Sequence, residues 1–187
     1  MGYTSPPTFV DTNVLYAAEL NQYLRDNMAW LEADRPRWSL TGGTLSAGVV
    51  GTTFTHTTAN AGDWENPNWS STEPVDTGNC HSGTNAFVTI PTAGFYVFGA
   101  VGAWDGNVTG GRGLAISSAA SSGTSIGGTE YVQDFRSAQN NGPVMPVSYG
   151  TWLAAGTTLY VALFQNSGTT SNRTVSNLRF WGCRMAG

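Results

Sequence analysis

Lysine is absent from this chain, and all eight basic residues are arginines. A GC-rich coding bias accounts for that without any functional reading. Charged residues make up only 11% of the sequence, less than half the usual share of a soluble domain (about 25%). No basic run occurs and the formal charge is −4, so a nucleic-acid-binding stripe is not expected. No apolar run approaches the ~18 residues of a membrane span. The opening stretch, MGYTSPPTF, lacks the charged-then-apolar order of an export signal. It also has Pro6 where a myristoylation motif needs Ser or Thr. Only two cysteines occur, Cys80 and Cys183, spaced as neither a CxxC motif nor a disulfide framework. Without an export signal both are expected to be reduced.

What is present points to a β protein. The 187 residues are 40% hydrophobic and 12% aromatic, with 24 glycines and abundant Ser and Thr. Such a chain can bury a core, and its composition favours strands joined by uncharged polar turns. Composition breaks near residue 38, because the first 38 residues hold eight of the twenty charges. The expected organisation is an arm and helix over 1–38, then a β-sandwich over 39–187. Pro6, Pro7 and Phe9 mark an extended arm. From Tyr16 to Ala33, Ala17, Leu20, Leu24, Met28 and Leu31 recur at helical spacing, and Pro36 ends the helix. A lone helix of that length is marginal in water, so its stripe needs a partner surface.

Beyond Thr41, short β-type runs are predicted at 49–57, 86–90, 95–104, 113–117, 130–135, 144–152, 157–165 and 174–185. Eight such runs between turn signals fit a sandwich or jelly roll. In Phe95–Trp104 the alternation puts Phe95, Val97 and Val101 on one face and Tyr96, Phe98 and Trp104 on the other. Both faces are apolar, which fits a strand covered by the second sheet on one side and a partner chain on the other. Residues 117–128 read as a flexible loop of small residues.

Catalytic chemistry is hard to find. The two histidines, His56 and His81, accompany no nucleophile elbow, and Ser82 beside His81 makes no triad. Solvated loop histidines are the expected outcome. Asp63 and Glu65 could be a glycosidase pair or calcium ligands. Their spacing does not establish the opposed geometry of the first, and they supply only part of the oxygen shell of the second. No catalytic residue, cofactor or metal is therefore expected. Trp64 and Trp69, flanked by Asn and Asp, could stack on sugar rings. Packing under the loop or against a subunit is the competing reading, and the favoured one. Arg112 could bridge subunits or be a plain strand-edge charge.

Two stretches carry resemblances. The segment from Asp76 to Phe98, with Ile90-Pro91-Thr92-Ala93-Gly94-Phe95-Tyr96 at its centre, resembles the core of the C1q/TNF-like jelly roll. The likeness is strongest to versions found in bacteriophage particles. Trp104 with Gly111-Arg112-Gly113-Leu114, the strand following Leu153-Ala154-Ala155-Gly156, and the closing Phe180–Met185 are similar to the family's later strands. Thr157 stands where the family usually has Asp. Val14 to Asn27, VLYAAELNQYLRDN, is similar to a stretch that opens many structural proteins of tailed phages infecting actinobacteria.

The jelly-roll resemblance implies a homotrimer, with Tyr96 and Tyr149 at or near the threefold axis. Phe98 and Trp104 share the strand face of Tyr96 and complete the expected interface. Together the resemblances imply a non-enzymatic virion structural protein, a capsid decoration or head fibre on the particle exterior, assembled in the bacterial cytoplasm. Its partner would be the major capsid protein or another virion protein. Phe9, Leu20, Leu24, Met28 and Leu31 would form the anchor. The alternative is a trimeric tail appendage that recognises host-surface carbohydrate.

Overall fold

The computed structural model describes residues 21–22, 24–26, 35–44, 53–54, 62–69, 75–83, 85–166 and 173–186. The chain divides into two units, Met1–Arg35 and Pro36–Gly187. In the first, Asn21, Gln22 and Leu24 to Asp26 are helical, as the apolar spacing predicts. The rest of the expected helix, and the arm, lie outside the described residues. The unit boundary falls before Pro36, which corrects the expected division at residue 38. Arg37–Thr41 is a strand of the sandwich, and Trp38 is 2% exposed in its core.

Among the described residues, the second unit contains thirteen strands. They are β1 (Arg37–Thr41), β2 (Gly43–Thr44), β3 (Thr53–Phe54), β4 (Asp63–Glu65), β5 (Asn68–Trp69), β6 (Val75–Thr77) and β7 (Phe87–Thr89). The longer strands follow: β8 (Gly94–Trp104), β9 (Gly111–Ser117), β10 (Glu130–Ser137), β11 (Val144–Leu153), β12 (Thr158–Asn166) and β13 (Arg173–Ala186). One sheet runs β11-β8-β13-β1-β6, with β3 also pairing β13. The other runs β10-β9-β12-β4, with β7 also pairing β12. All these pairings are antiparallel, and β2 and β5 form a small ribbon. Seven of the eight predicted runs correspond to strands. The eighth, 49–57, is described only at Thr53–Phe54.

The sheets pack through one alternate set of side chains each, as two-residue periodicity requires. Tyr96, Phe98, Ala100 and Trp104 of β8 meet Leu114 and Ile116 of β9 and Leu159, Val161 and Leu163 of β12 in one buried cluster. Trp38 spreads over Gly182 of the neighbouring strand and packs edge-on to Phe180, with ring centroids 5.6 Å apart. Any Cβ at residue 182 would collide with that indole. Gly156 turns the chain between β11 and β12 with φ +83°, a conformation that favours glycine.

The segment 118–129 is tied down rather than loose, which corrects the sequence expectation. Thr129 N donates to Ser118 Oγ at 2.8 Å, and Ser121 N donates to Asn66 Oδ1 at 2.6 Å. Asn66 Nδ2 in turn donates to the Val161 carbonyl at 2.7 Å. Small residues let this loop lie close to the sheet, and its polar backbone then finds partners there.

Candidate functional site: an exposed apolar sheet face

On the outer face of the six-stranded sheet, β8 presents Phe95, Val97, Gly99, Val101 and Ala103. Register places Trp152 opposite Phe95, Gly150 opposite Val97 and Pro146 opposite Val101 on one side. On the other side Cys183 lies opposite Val97 and Trp181 opposite Gly99. A Cβ at Gly99 would sit 2.6 Å from Trp181 Cζ2, so the missing side chain is what seats that indole. Phe95 meets Trp152 edge-to-face at 6.4 Å. Trp152 is 65% exposed, Val144 56%, Met185 48% and Trp181 38%. The apolar area lies over β8, β11 and the Trp181–Met185 end of β13, and it gives way on the far side to Arg179 and to Arg37, Ser39 and Thr41 of β1. A contiguous apolar surface of this kind on a single chain marks an interaction site.

The open rim between β10 and β11 is aromatic as well. Tyr149 lies opposite Phe98 on the edge strand, 6.2 Å from that ring and 6.0 Å from Tyr131 of the other sheet. Burial, then the neighbouring Tyr149, raises the Tyr131 phenol above its ordinary range.

This geometry corrects three of the four expected interface residues. Tyr96 and Phe98 have no exposed surface and Trp104 is 4% exposed, so they fill the core and have no ring face to offer a partner. Tyr149, 42% exposed, has one. Tyr96 donates its hydroxyl to the Thr92 carbonyl at 2.8 Å. Burial pushes its phenol up to about 12, with the Cys80 thiol adding to the rise and Arg184 opposing it. The residues missed are Trp152, Trp181, Val144 and Met185. Alternation was a weak signal for them, because Pro146, Ser148 and Gly150 dilute the outward set of β11.

The remaining candidates are placed as follows. Trp64 is 5% exposed, its ring 5.1 Å from Phe164, and Trp69 is wholly buried 5.7 Å from Phe180. Neither offers a ring face on which a sugar could stack, and both rings are packed inside their own chain. Asp63 and Glu65 flank Trp64 on β4, and among the described residues no group of three His, Cys, Asp or Glu could hold a metal. His81 is buried rather than solvated, with Nε2 3.0 Å from the Asn85 carbonyl. Asp76 accepts from the Cys80 and His81 amides at 2.8 and 3.2 Å, so this histidine belongs to a built turn. Arg112 is no edge charge, since it has no exposed surface. Neither cysteine is in a disulfide; Cys80 lies in the core and Cys183 on the outer face. Leu24 is 54% exposed on its helix, while Phe9, Leu20, Met28, Leu31 and His56 lie outside the described residues.

No protein-family model and no curated protein sequence matches the chain. Solved structures do. Murine APRIL at pH 5.0 superposes with a TM-score of 0.51 at 9% identity, over 81% of this chain and 100% of that one. The pH 8.0 form of the same protein gives 0.51 at 10% identity over the same shares. The globular domain of zebrafish complement 1qA gives 0.47 at 14% identity, over 79% of this chain and 94% of that one. At such identities the likeness is one of fold, and the fold is the C1q/TNF-like jelly roll.

Proposed function

We propose that this chain is a non-enzymatic structural protein that works as a homotrimer on the exterior of a tailed-phage particle. The observation that carries the trimer is the outer face of the six-stranded sheet, where Trp152, Trp181, Val144 and Met185 stay exposed around Phe95, Val97 and Val101. Burying a side chain of this size is worth about 1.5–3 kcal/mol, so several of them support stable self-association. The aromatic rim at Tyr131 and Tyr149 offers a neighbouring copy a complementary edge.

The virion setting is supported by the stretch Val14 to Asn27 and its similarity to the opening of actinobacteriophage structural proteins. Cysteines outside any disulfide suit assembly in a reducing cytoplasm. Attachment belongs to the N-terminal unit, with the major capsid protein or another virion protein as partner. Multivalent binding by a trimer would multiply a modest affinity per copy. Of the two virion readings, decoration of the shell is preferred. With Trp64 and Trp69 covered, carbohydrate recognition at a tail tip has lost the residues that motivated it.

Deleting residues 1–34 tests the division of labour, because it spares Pro36 and Trp38. The truncated protein should remain a folded trimer and fail to bind particles that lack the native copy. Binding by the truncated protein would assign attachment to the jelly roll. Cryo-electron microscopy of the particle should show hundreds of copies on the shell, whereas a few copies on the tail would reverse the preference.

A further inference from the structure

Given the homotrimer proposed above, on which this rests, we infer that an ion pair sets how its copies meet: Glu130 on the rim of one copy engages Arg37 on the outer sheet face of the next. Among the described residues, the outward side chains of the six-stranded sheet carry two charges, Arg37 and Arg179, both exposed and both positive. The outward residues of β8, β11 and β6 carry none. The ion pairs described within the chain engage Arg25, Arg136 and Arg173, and neither of these two arginines. Two such faces laid against each other would gather four guanidinium groups with no carboxylate among them, and like charges across an interface repel. The face therefore calls for a different surface of the second copy, one that brings an acid. A head-to-tail contact of that kind can close into a ring.

The rim between β10 and β11 supplies that acid. Glu130 is exposed at the start of β10, beside Tyr131. The register of β10 shifts between Glu130 and Val132, so Tyr131 is the extra residue of a bulge, and its ring meets Phe98 at 5.5 Å. The other carboxylate of β10, Asp134, is already held by Arg136 at 2.7 Å. Height along the strands matches as well. Val97, the residue before Phe98, is in register with Cys183, and Cys183 is in register with Arg37. Copies arranged around an axis along the strands meet at equal heights, which brings Glu130 of one copy level with Arg37 of the next. Arg179 is in register with Val101, four residues and about 13 Å further along the sheet. An exposed ion pair alone adds little stability, but one flanked by buried apolar contacts fixes partner and direction.

Exchanging the charges in the full chain tests the pair. Sedimentation equilibrium compares wild type, Arg37→Glu, Glu130→Arg and the double variant at physiological salt. Each single reversal sets like charges against each other and should weaken every junction about tenfold or more. The double variant restores the attraction with its sense reversed, and should return to within about threefold of wild type. Both residues are exposed, so circular dichroism should stay native in all four proteins. If a reversal does not fold, Arg37→Gln and Glu130→Gln replace it, and their losses should be non-additive in the double variant. A trimeric wild type whose double variant binds no better than the weaker single one, or whose neutral variants are additive, overturns the pair and leaves the homotrimer standing. A wild type that sediments as a single chain, or as a dimer, overturns both.

Discussion

The outer faces of the two sheets begin from similar material and end differently. On the five-stranded sheet, Gly113, Ala115 and Ala162 make a smooth floor under Trp64 and Phe164, and Ile126 packs over it. The chain supplies that cover from its own segment 118–129, and Trp64 N donates to the Gly123 carbonyl at 2.6 Å. Among the described residues of that face, Phe135, packed 5.1 Å from Phe164, stays half exposed. On the six-stranded sheet, Gly99 seats Trp181 and Gly150 approaches Phe95 in the same manner, yet Trp152 remains 65% exposed. Small residues under large rings build both faces. One is closed by the fold, and the other is the face that the proposed trimer would cover.

Four changes would break or sharpen that contrast. The largest effect is expected at the closed face. Trp64→Ala removes an indole between Phe164 and the loop, and should cost about 3–5 kcal/mol in chemical denaturation with the trimer stoichiometry unchanged. Next comes the open face. Trp152→Glu puts a charge where an aromatic anchor would be buried, and should weaken association by about 2 kcal/mol or more per contact. Its circular dichroism should remain native, because Trp152 is 65% exposed and meets Phe95 only edge-to-face.

A smaller effect is expected in the core. Tyr96→Phe removes the hydroxyl bonded to Thr92 and should cost about 1 kcal/mol near neutral pH. Its pH dependence is more telling. Folding raises the Tyr96 phenol from its ordinary value of 10 to about 12, so the stability linked to it is fully present below pH 10 and fades as pH rises toward 12. Urea melts across that range should show wild type losing more stability than the Phe variant. The smallest effect is the response to reductant. With Cys80 in the core and Cys183 on the outer face, neither in a disulfide, dithiothreitol should leave the melting temperature unchanged.

Much of the fold was legible because its long strands alternate and are separated by glycine-rich turns. Phe95–Trp104 is the clearest case. Strands β4, β5 and β6, of two or three residues each, carry no readable period. Strand β1 was hidden by the charges around it, and only the pairing of Trp38 with Gly182 reveals its place. The interface was half legible. An apolar alternation on both sides of β8 shows that two surfaces are covered, but not which one faces inward. That choice depends on pairing between strands distant in sequence, which sets Trp152 and Trp181 on one face with β8 between β11 and β13. Arg112 was missed as a core residue because a lone arginine beside two glycines carries no local sign of burial.

Sedimentation equilibrium of the full chain at micromolar concentration tests the central claim most directly. The bare outer face of the six-stranded sheet predicts a species of three 19.7 kDa chains, reduced to one chain by Trp152→Glu together with Trp181→Glu. A wild-type protein that sediments as a folded single chain would contradict the account, because Trp152, Trp181, Val144 and Met185 would then be exposed without a partner of their own kind.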